Sequence, residues 1–141
     1  MSSPNPALDT LLTKARFQST GLGSNLAMRF DWDGSVLTLR ISGTSSDPLP
    51  DSFAHAVTNL ARGVRPIHTA VDLSESQALP SVILAFLVFF QKTVEENGSD
   101  KVVMFAANPR IQTVIKMIGM LDFFVLKPDE ASARAWMSAP H

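Results

Sequence analysis

The sequence lacks cysteine altogether. Disulfide bonds and thiolate metal sites are therefore excluded, and the reducing cytosol is the compartment that we expect. The chain also lacks an excess of either charge, because 12 basic residues stand against 13 acidic ones and the net charge is -1. Its Lys and Arg residues do not cluster as they do in proteins that track phosphate backbones or anionic lipid, so a nucleic-acid partner is not expected.

Long apolar segments are missing as well. The longest one, residues 79–90, is shorter than the roughly 20 residues that span a bilayer and contains Pro80, so we expect no membrane insertion. The N-terminus has neither the basic start nor the apolar core of a signal peptide, and export is not expected. A chain of 141 residues that is 45% hydrophobic can bury a substantial core. We expect residues 1–26 to form a leader segment and residues 27–138 a single domain.

Periodic patterns are the main structural signal in this domain. Residues 27–32 and 36–41 alternate apolar and polar side chains as strands do, and Asp33-Gly34 between them predicts a hairpin. Asp51 or Ser52 is then predicted to cap a helix over about 52–62. The later predicted elements are a strand at 67–73, a helix at 81 to about 96, a strand at 101–106, a helix that starts at Pro109 and has Gly119 as its C-terminal glycine, a strand at 123–126 and a helix capped by Asp129 that continues to about 137, followed by a frayed end at 139–141.

A hairpin followed by strand-helix crossovers predicts an α/β domain with a mixed sheet whose later strands are parallel. The helix that starts at Pro109 has the clearest periodicity in the chain. Its apolar residues fall at i, i+3, i+4 and i+7, and we expect all four to be buried: Ile111, Val114, Ile115 and Ile118.

Chemistry-bearing residues are sparse. The three histidines, His55, His68 and His141, lie in separate predicted elements and form no metal-binding motif. Serine, histidine and aspartate are present without a nucleophile elbow or a phosphate-binding glycine loop. We therefore expect no enzyme activity, no metal and no cofactor.

Ser81 is the residue with the most functional potential, because it opens an apolar helix directly after a buried strand and a polar loop. Serine at such a position is often only an N-cap. A phosphoryl group on Ser81 would also be stabilised there by free backbone N–H groups and by the helix dipole. Both interpretations stay open on the residues alone.

The order and spacing of several motifs resemble the STAS domain of anti-sigma-factor antagonists and sulphate transporters. The resemblance covers about residues 27–138 and depends on a series of motifs: Val71-Asp72-Leu73-Ser74, the serine seven residues later, the strand at 101–106, Met117-Ile118-Gly119-Met120, Phe123-Phe124 and Asp129-Glu130-Ala131. It implies a regulatory protein of transcription that binds a partner of the GHKL kinase type, itself the anti-sigma factor.

Ser81 falls on the position where antagonists of this family accept phosphate. The family usually has Asp-Ser-Ser/Thr-Gly-Leu there, whereas this chain has Pro80-Ser81-Val82-Ile83-Leu84. The first serine and the leucine match, while the acid, the second hydroxyl residue and the glycine are replaced. We expect the β-branched Ile83 to block close approach of a kinase backbone. A non-phosphorylated STAS subunit or scaffold, for example of a lipid-transport complex, is therefore the alternative function.

The helix after Ser81 also predicts an interface. Leu87, Phe90 and Val94 should point inward, which leaves an apolar stripe toward solvent. We expect this stripe to bind a partner or a second copy of the chain. The alternative is that residues 8–20 fold over it. The predicted stripe consists of Val82, Ala85 and Phe89.

Overall fold

A computed structural model describes residues 6–19, 24–45 and 47–139. The described residues form five α-helices and six strands, and from β3 onward strands and helices alternate. The elements are α1 (Pro6–Lys14), β1 (Phe17–Gln18), β2 (Ala27–Trp32), β3 (Val36–Ser42), α2 (Asp51–Val64), β4 (His68–Glu75), α3 (Ser81–Glu96), β5 (Val102–Phe105), α4 (Pro109–Met117), a 3-10 turn (Met120–Asp122), β6 (Phe124–Lys127) and α5 (Glu130–Ser138).

The six strands form one sheet in the order β1-β2-β3-β4-β5-β6. The first three are antiparallel neighbours and the last four are parallel neighbours. The hairpin turns where the sequence predicts, because the Asp33 side chain accepts hydrogen bonds from the backbone N–H groups of Ser35 and Val36 at 3.0 and 2.8 Å. The mixed α/β sheet with an opening hairpin and strand-helix crossovers is therefore confirmed.

The two faces of the sheet are covered unequally. One face carries the main core, in which α1, α2, α3 and α4 pack on the apolar side chains of the strands. The other face is covered by α5, which packs mainly over β4, β5 and β6 and also reaches Val36 at the start of β3. The part of this second face that belongs to β2 and β3 carries charged residues, of which Arg29, Asp31 and Arg40 are joined in ion pairs. The main core therefore lies between the sheet and the helices of the first face.

Two sequence predictions near helix ends are wrong. Pro50, not Asp51 or Ser52, is the N-cap of α2. α4 ends at Met117, with Ile118 as its C-cap and the left-handed Gly119 after it, as predicted, but the predicted burial of Ile118 is wrong because 53% of its surface is exposed. Helical spacing no longer applies beyond the last helical residue, so Ile118 turns away from the core while Ile111 and Ile115 remain in it. Val114 is half-buried.

Residues 6–18, which the sequence assigned to a leader, contribute α1 and β1 to the structure. β1 pairs antiparallel with β2 through Phe17 opposite Met28. The rest of the predicted leader at 1–5 and 20–23, together with Pro140 and His141, lies outside the described residues. Among the helices that the structure describes, none is long and apolar enough to cross a bilayer.

Candidate functional site

Ser81 lies at the carboxyl edge of the sheet, the edge at which the parallel strands β3, β4, β5 and β6 end. A five-residue loop, residues 76–80, connects β4 to α3, and Ser81 is the first residue of the helix. Open α/β sheets place their binding sites at this edge, because loops and helix N-termini converge there. The fold therefore puts Ser81 at a position suited to recognition.

The interpretation of Ser81 as an N-cap is wrong. Pro80 occupies the N-cap with an extended backbone (φ −64°, ψ 161°) and offers no side-chain hydrogen bond. Its carbonyl accepts from the N–H groups of Ile83 and Leu84 at 2.9 and 3.0 Å. The Ser81 side chain is exposed and makes no hydrogen bond to any described residue. Its hydroxyl is therefore free for chemistry at the positive end of a 16-residue helix.

Ile83 does not obstruct this site. Only 1% of its surface is exposed, and its side chain packs into the main core. The expectation that a β-branched residue at this position blocks an approaching kinase is thus wrong, because the first turn of α3 points Ile83 inward and Ser81 outward. Among the replaced family residues, Pro80 and Val82 remain at or near the surface, where both are half-buried.

The loop before Ser81 is held from both sides. Ser76 is only 5% exposed, and its hydroxyl donates to the carbonyl of Ile41 at 3.2 Å. From α4, Asn108 donates to the carbonyl of Gln77 at 2.9 Å, while its side-chain oxygen accepts from the Ile111 N–H at 2.9 Å. Asn108 thus caps α4 and ties it to the loop. Its position before Pro109 indicated the cap but not the contact with the loop. The loop and the start of α3 are therefore positioned together.

One side of α3 carries an exposed stripe, the α3 stripe, formed by Ser81, Ala85 and Phe89. These residues follow one another at i+4 spacing, so they share one side of the helix. Phe89 is 37% exposed, and its ring contacts that of Phe86 at a centroid distance of 6.0 Å. The third residue of the predicted stripe, Val82, is half-buried beside it. The α3 stripe contains no charged side chain.

The N-terminal segment does not close over this stripe within the described residues. α1 packs on α2 and β2 instead, with Leu11 directly beside Gly63. Phe17 from β1 contacts Phe53 of α2 at a centroid distance of 5.8 Å. Residues 8–19 therefore cover a neighbouring part of the core and leave Ser81, Ala85 and part of Phe89 open.

A cavity of about 780 Å³ lies elsewhere, over the uncovered side of β1 to β4. Its central residue is Arg40, which pairs with Asp31 and Asp72 and approaches Glu130 at 3.5 Å. Burial by itself would raise the pKa of Asp72, but hydrogen bonds from Ser74 and the charge of Arg40 lower it. The charged side chains at the centre of this cavity are therefore paired with one another. Period-two patterns in β3 and β4 place Arg40 and Asp72 on one face, which is the signal by which the sequence could have revealed the pair.

The described residues contain no group of three or more metal-ligating side chains. His55 lies exposed on α2 and His68 half-buried at the start of β4, and His141 is outside the described residues.

Comparison with solved structures decides the fold. An anti-sigma factor antagonist from Mycobacterium paratuberculosis is 19% identical, with a TM-score of 0.61 over 86% of this chain and 100% of that one. A STAS domain protein from Planctomyces limnophilus is 15% identical, with a TM-score of 0.61 over 79% and 97% of the two chains. This chain has the STAS fold. No family model matches the sequence, and no curated protein matches it.

The STAS fold confirms the resemblance deduced from the motifs at the level of architecture. Within this STAS-like domain, Ser81 and the exposed part of α3 form the candidate site.

Proposed function

We propose that the chain is a partner-switching regulator that binds a protein through the start of α3 and the α3 stripe. The proposal is based on Ser81. Its hydroxyl is exposed, does not cap the helix, and lies at the start of an uncharged surface. The solved structures with the same fold include an anti-sigma factor antagonist, which supports an anti-sigma factor as the partner. The partner that we propose is a GHKL-type kinase that is also the anti-sigma factor.

Phosphorylation of Ser81 would reverse binding through charge. A phosphoserine carries about -1.5 to -2 charges at neutral pH. The backbone N–H groups of Ser81 and Val82 precede the first helical hydrogen bonds and can stabilise the phosphate in the free protein. In the complex, the same charge would lie against an apolar contact and would have to be desolvated. Modification therefore favours release of the partner.

A constitutive STAS subunit or scaffold, for example in a lipid-transport complex, is the second candidate. Pro80 favours it, because the carboxylate that precedes the serine in the family is absent here. In this case the same surface would bind its partner without being switched.

Phosphate transfer distinguishes the two candidates. We would incubate the protein with ATP, Mg²⁺ and the kinase encoded nearest to its gene, and measure the intact mass. The switch predicts one added phosphate in the wild type and none in Ser81→Ala. Ser52→Ala is the matched control, because Ser52 is also exposed in the first turn of a helix with a proline N-cap. A kinase that binds the wild type without modifying it would support the constitutive subunit.

Binding of the unmodified protein tests the surface itself. Ser81→Asp should weaken binding of the kinase through its charge, and Ser81→Ala should retain it. Phe89→Glu should abolish binding, because the charge would enter the contact without a counterion. Phosphate that still appears in Ser81→Ala would place the modification elsewhere, with exposed Ser74 as the next residue to replace. Buried Ser76 is a poor acceptor.

A further inference from the structure

A second apolar surface lies where α4 ends and β6 begins. It consists of four side chains, with exposed fractions of 79%, 53%, 41% and 45%: Met117, Ile118, Leu121 and Phe123. We call this surface the α4 patch. Gly119 turns the chain inside it with a left-handed backbone (φ 76°), which directs Ile118 and Leu121 outward on either side of the bend. None of these side chains has a role in the main core.

We propose that the α4 patch is a self-association surface that binds the same patch of a second copy of this chain. Its exposed apolar area is on the order of 400 Å², within the range of about 300–600 Å² for the largest patch on a monomer, which is often functional. Two such patches would bury about 800 Å². This buried area is roughly half of a standard interface of about 1,600 Å². It would form the apolar centre of such an interface, with polar residues around it.

The charges around the patch favour a second copy over other occupants. Lys116 precedes the patch and Asp122 lies within it, both are exposed, and neither forms an ion pair with another described residue. The opposite charges of Lys116 and Asp122 make the patch complementary to itself across a two-fold axis, because Lys116 of each copy can meet Asp122 of the other. A surface that binds an anionic membrane would instead carry an excess of positively charged side chains.

The α4 patch lies at the opposite edge of the sheet from Ser81, the first residue of the α3 stripe. The register of β4, β5 and β6 places Phe123 level with the start of β4, whereas Ser81 follows its end. With about 3.3 Å per residue, Phe123 and Ser81 are roughly 20 Å apart along the strands, and Phe89 lies about 12 Å closer to the patch than Ser81 does. Self-association through the α4 patch therefore leaves Ser81 free, and a dimer would present two such serines.

Sedimentation velocity over concentrations from about 1 µM to several hundred micromolar tests the proposal. The wild type should pass from monomer to dimer, while Met117→Lys and Ile118→Lys should raise the dimer Kd at least about tenfold. Both substitutions suit a helix C-terminus, where a cation is favoured, and both sites are exposed, so melting by circular dichroism should show intact folding. Phe89→Lys is the control and should still dimerise, whatever it does to partner binding.

Charge exchange tests the predicted pairing. Lys116→Glu and Asp122→Lys should each raise the dimer Kd about two- to fivefold, and the double variant should return it to the wild-type range. A wild type that stays monomeric, dimers that Met117→Lys and Ile118→Lys leave intact, or a double variant that remains weak would overturn the proposal. Binding of the monomer to phosphatidylglycerol vesicles through Met117 would overturn it in favour of a lipid surface.

Discussion

Ile115 and Ile118 provide a matched pair for testing how α4 is placed. Both are isoleucines and they are three residues apart, yet Ile115 is 0% exposed and Ile118 is 53% exposed. Ile115→Ala removes buried apolar atoms and leaves a cavity, which should cost about 2–5 kcal/mol. Ile118→Ala removes surface atoms and should cost less than about 0.5 kcal/mol.

These costs translate into separate melting temperatures. At roughly 2.1 cal/mol/K per residue, a chain of 141 residues unfolds with an entropy of about 300 cal/mol/K, so each kcal/mol lowers Tm by about 3 °C. Ile115→Ala should therefore lower Tm by about 7 to 17 °C, and Ile118→Ala by less than about 2 °C.

The assay is thermal and urea unfolding followed by the fluorescence of Trp32 and Trp136, at about 1 µM protein so that self-association does not add stability. Equal losses in the two variants would show that α4 continues through Ile118 as a helix. A loss below about 0.5 kcal/mol in Ile115→Ala would refute the packing of α4 on the sheet.

Three further predictions concern polar contacts. Partial burial would raise the pKa of Asp33, but backbone N–H groups and Arg134 lower it from 3.8 to about 2. The charged Asp33 therefore stabilises the fold above about pH 4, and this stabilisation should be lost as the pH falls toward 2. Urea unfolding at several pH values should show this loss in the wild type but not in Asp33→Asn. Asn108→Ala should speed amide hydrogen exchange both in the first turn of α4 and in residues 76–80, whereas Asn108→Asp should speed it in 76–80 alone; unchanged exchange in that loop would show that the tether is unimportant. Arg40→Gln should raise the pKa of Asp72, measurable by carboxyl NMR titration, and a fixed pKa would mean that Ser74 alone controls it.

The strongly patterned elements could be predicted from the sequence, and α3 is the clearest case. Its bounds, Ser81–Glu96, agree with the prediction, because an apolar run lies between Pro80 and Asn97-Gly98. The inward positions of Leu87, Phe90 and Val94 are confirmed. β1 was not predicted, because two residues give no periodicity and their pairing with β2 is a tertiary effect.

The errors at Ser81 and Ile118 have a common cause, because both residues lie at helix termini. At Ser81 the preceding proline already supplies the extended N-cap backbone, so the serine moves to the first helical position. At Ile118 the helix has ended one residue earlier, and a residue that fits the pattern lies outside it. Capping geometry depends on single backbone angles, which side-chain periodicity does not encode. The exposure of Phe89 was expected from the stripe, whereas its contact with Phe86 was not.

The ion pairs that hold α5 against the hairpin set an order of events during synthesis. Arg40 and Glu130 are 90 residues apart, and Asp33 and Arg134 are 101 apart. At about 5–20 residues per second, the ribosome completes β2 and β3 roughly 5 to 20 s before α5 exists. Throughout that interval, one face of the nascent sheet has neither its covering helix nor these partners. The sheet can therefore reach its final packing only after α5 has left the ribosome.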